Sequence, residues 1–122
     1  MNIPFAPGMH LLIDFWGATH LDKIDYVENA LNQAAIACGA TVLAIHLHSF
    51  GKDAGVTGVA MLAESHISIH TWPEIGYVAL DVFLCGNSDP HLAVPVLHEF
   101  FKPKEMKVTE SARGKTMSPS EI

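Results

Sequence analysis

The sequence predicts an α+β fold: a two-layer α/β sandwich whose mostly antiparallel sheet carries two helices on one face. Two observations carry this. Short segments alternate apolar and polar residues with a period of two, the mark of half-buried strands. Two further segments place apolar residues at helical spacing and end on helix-stop residues. The strands share one asymmetry: an aliphatic face opposes a face dotted with His and acid (His10 and Asp14, His46 and His48, His66 and His70, Asp81 and Cys85). An antiparallel sheet covered on one side only produces that division, with the uncovered side as the chemical face.

In chain order, Met9 to Trp16 sets Met9, Leu11, Ile13 and Phe15 against His10, Leu12, Asp14 and Trp16, a first strand. Thr19 followed by Asp22 resembles a capping box opening a helix. Leu21, Ile24, Val27, Leu31, Ala34, Ala35 and Cys38 then form its apolar stripe, and Gly39 stops it. From Thr41 to Phe50, Leu43, Ile45 and Leu47 face one way and His46, His48 and Phe50 the other. The segment 51–55 is a turn, and strands are expected at about 57–64 and 66–71. The turn 72–76 leads to a strand from Tyr77 to Cys85. Asp89 before Pro90 reads as a cap with proline at the first helical position. Leu92, Val96, Phe100 and Phe101 give the second helix its stripe, which Pro95 is expected to bend or shorten. A last strand at about 104–110 precedes a polar tail expected to be loose.

At 122 residues, a single domain (1–122) is expected. Apolar residues make up 49% and charged residues 16% of the chain, a core supply generous enough to predict a self-associating surface. A net charge of -6 with seven Lys and Arg argues against a nucleic-acid partner. No apolar run spans a bilayer and the N-terminus lacks a secretory pattern, so no membrane association and a cytoplasmic location are expected. Eight histidines invite a metal reading, but no Cys-x-x-Cys or His-Glu-x-x-His spacing is present, and no metal is expected. Cys38 falls on the helix stripe as a core residue, whereas Cys85 closes a strand and is a candidate reagent.

The run Glu64-Ser65-His66-Ile67-Ser68-Ile69-His70-Thr71-Trp72-Pro73-Glu74 follows the apolar stretch 59–63 and places many polar groups where a strand should end. Alternation puts His66, Ser68 and His70 on one side and Ile67 and Ile69 on the other. Alone, this pattern reads more readily as an edge strand with a wet face. Together with Gly76-Tyr77-Val78-Ala79-Leu80-Asp81-Val82-Phe83-Leu84-Cys85-Gly86, however, it resembles the core signature of the short prokaryotic S-adenosylmethionine decarboxylase proenzymes. The similarity extends from Gly8 to about Gly114.

The resemblance implies autocatalytic cleavage of the Glu64-Ser65 bond into chains 1–64 and 65–122, with Ser65 converted into a pyruvoyl cofactor. Serine suits this because its β-oxygen is both nucleophile and leaving group. By the same resemblance, His70 removes the Ser65 α-proton, as a neutral imidazole can. Strict alternation opposes Ser65 and His70, so that role requires a distorted turn at 64–66. Thr57, in Gly55-Val56-Thr57-Gly58, stands where the family has a processing serine. Catalysis would pass through a Schiff base with the substrate amine, and Cys85 would donate the proton that follows decarboxylation. Phe50 would stack on adenine and face the sulfonium, and Glu74 would accept the ribose hydroxyls. The family pairs as a homodimer with sites near the interface, and its members supply the aminopropyl donor for spermidine. Pairing of dimers and activation by putrescine are left open.

The chain departs from the family pattern in a loop 51–55 that is one residue longer and in Asp14-Phe15-Trp16-Gly17-Ala18, where Phe-Tyr-Gly-Cys types are commoner. Both segments are candidates for substrate contact. An alternative is therefore a pyruvoyl decarboxylase of arginine or ornithine, recognised through Asp14 or Asp53. A non-catalytic dimeric relative and a histidine-rich metal carrier are the other readings.

Overall fold

The computed structural model describes residues 8–114, so the expected loose tail lies outside the described residues. Six strands form one antiparallel sheet in the order β2-β3-β4-β5-β1-β6: β1 (Gly8–Trp16), β2 (Val42–Ser49), β3 (Val56–Leu62), β4 (Ser65–Trp72), β5 (Tyr77–Cys85) and β6 (Glu105–Arg113). Two helices, α1 (Ile24–Ala37) and α2 (Ala93–Phe101), cover one face. The α+β sandwich is as expected.

Alternation decides what the core contains. Leu11, Ile13 and Phe15 of β1, Ile67 and Ile69 of β4, and Val78, Leu80, Val82 and Leu84 of β5 are buried. They meet Val27, Ala30, Leu31, Ala34 and Ala35 of α1 and Leu97 and Phe101 of α2. Cys38 is buried as predicted, and desolvation pushes its thiol up to about 11.

Four local expectations need correction. Thr19 does not cap α1, which begins after Lys23 with no side-chain cap. The Thr19 N–H and hydroxyl instead donate to the Phe101 carbonyl at 2.9 and 3.2 Å, closing the end of α2. Leu43 is not on the aliphatic face: the β2–β3 register shifts between Val42 and Ala44, and the extruded Leu43 is exposed. Pro95 leaves α2 unbroken because it sits in the first turn, where its missing N–H would have no helical acceptor. A 3-10 turn (Pro90–Leu92) precedes the helix, and there Asp89 accepts from the His91 N–H at 2.9 Å. The edge strand β6 runs three residues beyond its expected end, paired with β1 throughout.

The other face of the sheet is uncovered by any described residue of the chain. It carries His10, His66, Ser68, His70 and Asp81, with Leu12, Trp16, Met61 and Trp72 exposed among them.

Candidate active site

β3 and β4 are joined by a two-residue hairpin, Ala63-Glu64, with Leu62 paired to Ser65. The turn therefore lies at 63–64 rather than 64–66. Glu64 adopts φ 59°, a left-handed conformation costly for a residue with a Cβ. Favoured two-residue hairpins place positive φ at the first loop residue, but here only the second has it. The unfavourable backbone is thus beside the Glu64-Ser65 peptide bond.

The end of β5 meets this turn. The Cys85 thiol donates to the Glu64 carbonyl at 2.8 Å, and the Cys85 N–H donates to the Ser65 hydroxyl at 3.2 Å. A nucleophile, its neighbouring carbonyl and a proton donor to that carbonyl oxygen are together. The sulfur is partly exposed, unlike that of Cys38.

The second group of residues collects at the opposite end of β4. Thr57 pairs with His70 across the ladder, and Thr57 Oγ1 and His70 Nδ1 share a hydrogen bond of 2.6 Å. Phe50, Thr57, His70, Thr71, Trp72 and Glu74 line a cavity of about 360 Å³. Phe50 is 65% exposed, so it is no core residue. The Gly55-Val56-Thr57-Gly58 element fits because a Cβ at Gly55 would overlap the Thr71 carbonyl, and one at Gly58 would overlap Leu47 and the His46 carbonyl. Buried Thr71 locks the pocket floor, accepting from the Val56 N–H at 2.8 Å and donating to the Leu21 carbonyl at 2.7 Å.

Within one chain these two groups do not meet. Five residues of extended strand, about 16 Å, separate Ser65 from His70. Asp14 also lies outside the pocket: it accepts from the Tyr77 hydroxyl, which, with burial and the carboxylate charge, pushes the Tyr77 phenol up to about 12. Asp53 has φ 59° and lines a neighbouring acidic hollow with Asp22 and Glu74.

Sequence reasoning missed Trp72, which lines this cavity, and the Tyr77 ring packed beside it. Their rings lie 5.2 Å apart, with Trp16 beyond at 6.0 Å from Tyr77. An aromatic residue next to the polar strand face was the available signal, and the turn reading of 72–76 hid it.

The S-adenosylmethionine decarboxylase family model matches residues 9–114. The chain belongs to that family. It is 47% identical over 110 residues to the S-adenosylmethionine decarboxylase proenzyme of Methanococcus aeolicus, covering 88% of this chain and 93% of that one. It is 44% identical over 108 residues to the proenzyme of Thermomicrobium roseum, with coverage of 88% and 93%. Among solved structures, the adenosylmethionine decarboxylase of Aquifex aeolicus superimposes with a TM-score of 0.84 at 32% identity, covering 93% of this chain and 95% of that one. The family resemblance carried by the run 64–86 therefore extends through sequence and fold. No described helix is long and apolar enough to cross a membrane.

Proposed function

We propose that this chain is a self-cleaving decarboxylase of S-adenosylmethionine, cut between Glu64 and Ser65 and carrying its pyruvoyl group at the new terminus. The observation that carries the proposal is the Cys85 thiol on the Glu64 carbonyl, at a left-handed turn beside a serine hydroxyl. Attack by Ser65 Oγ on the Glu64 carbonyl carbon turns the amide into an ester. Negative charge then grows on the oxygen that Cys85 already contacts, where a placed donor is most effective. Loss of the Ser65 α-proton expels residues 1–64 as a carboxylate, and water displaces ammonia to leave the ketone. The residues present fit the group they would generate.

His70 suits removal of the α-proton, yet stands at the far end of its own β4. We assign the role to His70 of a second copy, with the uncovered sheet faces forming a homodimer that brings one chain's Ser65 and Cys85 to the other's Thr57, His70, Phe50 and Glu74. The exposed Leu12, Trp16, Met61 and Trp72 on that face support self-association.

A pyruvoyl carbonyl supplies the electron sink that lets an α-amino acid lose carbon dioxide. Cys85 returns a proton to the substrate carbon. Phe50 offers its ring to adenine, Glu74 accepts the ribose hydroxyls, and the cavity volume falls in the usual range of about 300–1,000 Å³ for small-molecule sites. The engagement of Asp14 by Tyr77 weighs against its use in holding the cationic end of arginine or ornithine. The product is the aminopropyl donor for spermidine synthesis.

A denaturing gel and a carbon dioxide release assay test this reading together. Fragments of 64 and 58 residues, with release from carboxyl-labelled S-adenosylmethionine, are expected. A chain that stays whole, or release from arginine or ornithine alone, overturns it.

A further inference from the structure

We propose that His10, His66 and Asp81 form a binding site for one divalent transition-metal ion of the zinc or cobalt type. The site shares no residue with the cleavage and substrate groups, although His66 directly follows Ser65, and it lies on the face that the proposed homodimer would cover. The three side chains come from three adjacent strands. His10 of β1 and His66 of β4 both flank Phe83 of β5 in register, and Asp81 lies two residues earlier on β5, on the same uncovered face. Both imidazoles therefore lean toward one carboxylate: His10 Nε2 lies 2.6 Å and His66 Nε2 2.9 Å from the same oxygen, Asp81 Oδ2.

The candidate ligand atoms all fall within 4.8 Å of one another. Tetrahedral zinc, with bonds of about 2.0–2.1 Å, wants ligands about 3.3–3.4 Å apart. Opening the His10 distance by about 0.7–0.8 Å and the His66 distance by about 0.4–0.5 Å, within reach of side-chain rotations, admits the ion. Two imidazoles and a carboxylate are a ligand set that first-row transition ions take readily, with coordination positions left open. The other carboxylate oxygen, Oδ1, accepts from the Ser68 hydroxyl, which orients Asp81 as supporting residues do in metal sites.

The protons balance without a base. Each Nε2 gives up its proton to the metal bond while the ring carries one on Nδ1, a tautomer shift within a neutral imidazole. Arg113, whose guanidinium lies 3.4 Å from His10 Nδ1, would then face a donor and would have to move aside. The other close His–carboxylate pair, His91 with Glu110, has no third ligand among the described residues.

The test titrates chelator-treated full-length chain with cobalt(II) chloride and zinc chloride, following visible ligand-field absorption, bound metal per chain and thermal unfolding. One ion per chain, with a raised unfolding temperature, is expected. His10→Gln and His66→Gln, each confirmed folded by circular dichroism, should abolish the cobalt spectrum. Ser68→Ala should weaken binding about tenfold, and Cys85→Ser should leave it intact. Absence of stoichiometric binding, survival of the spectrum in both glutamine variants, or its loss in Cys85→Ser overturns the site.

Discussion

Glu64 shows how one backbone angle concentrates chemistry. Its left-handed φ and the thiol on its carbonyl mark the peptide bond that the decarboxylase reading requires to break. Ser65→Ala should leave the chain whole on a denaturing gel at all times, having neither nucleophile nor leaving group. Cys85→Ala, which removes a donor to the growing oxyanion, should slow cleavage by about 10²–10³-fold, measured as fragment appearance. Tyr77 gives a spectroscopic prediction. Its phenol is raised from 10.0 to about 12, first by the hydrogen bond to Asp14, so folding favours the protonated ring. That contribution is complete below pH 10 and fades as pH rises toward 12. In an alkaline absorbance titration one tyrosine should ionise near 12, and Asp14→Asn should draw it back toward 10. The family motif named Ser65, His70, Cys85, Phe50 and Glu74 as candidates, but not their division into a Ser65–Cys85 turn and a Phe50–His70–Glu74 pocket, which the pairing of β3, β4 and β5 imposes. The engagement of Asp14 with Tyr77 was not legible either, since nothing local in sequence announces a partner 63 positions away.

Among elements, the strands were the easier part to read, because period-two burial on one covered face leaves a direct trace in β1, β4 and β5. Capping was harder. Thr19 satisfies a local rule for starting α1, but tertiary structure spends its hydroxyl on the end of α2, which only the fold brings near. The bulge at Leu43 likewise follows from pairing between β2 and β3. Thr71 is the residue at which β3, β4 and the segment before α1 are tied. Thr71→Val strands the Val56 N–H and the Leu21 carbonyl, at about 1–3 kcal/mol for each buried group left unpaired. The denaturant midpoint should fall accordingly, and Thr71→Ser, which keeps the hydroxyl, should recover most of it. Unchanged stability in the valine variant would show the tie to be unimportant.

For the whole molecule, the shared-site proposal makes cleavage a property of a pair, because Ser65 and His70 stand at opposite ends of β4. Ser65→Ala and His70→Ala chains should each stay whole alone, while co-expression should restore cleavage of the His70→Ala chain, whose serine then meets an intact partner histidine. Failure to restore it, with mixed dimers demonstrated by differential tags, would remove the shared-site proposal. The order β2-β3-β4-β5-β1-β6 has its own consequence for a chain cut before Ser65 as proposed. On the proposed cut, strands β1 to β3 would belong to the first fragment and β4 to β6 to the second, yet β1 is inserted between β5 and β6. The two pieces would be woven through each other like interlaced fingers, joined by three of the five ladders. Neither strip can peel away without dismantling the weave, so the cut would loosen one turn while the body holds. Once melted apart, the halves would have to find each other again by collision, and recovery would become second order where the uncut precursor refolds alone.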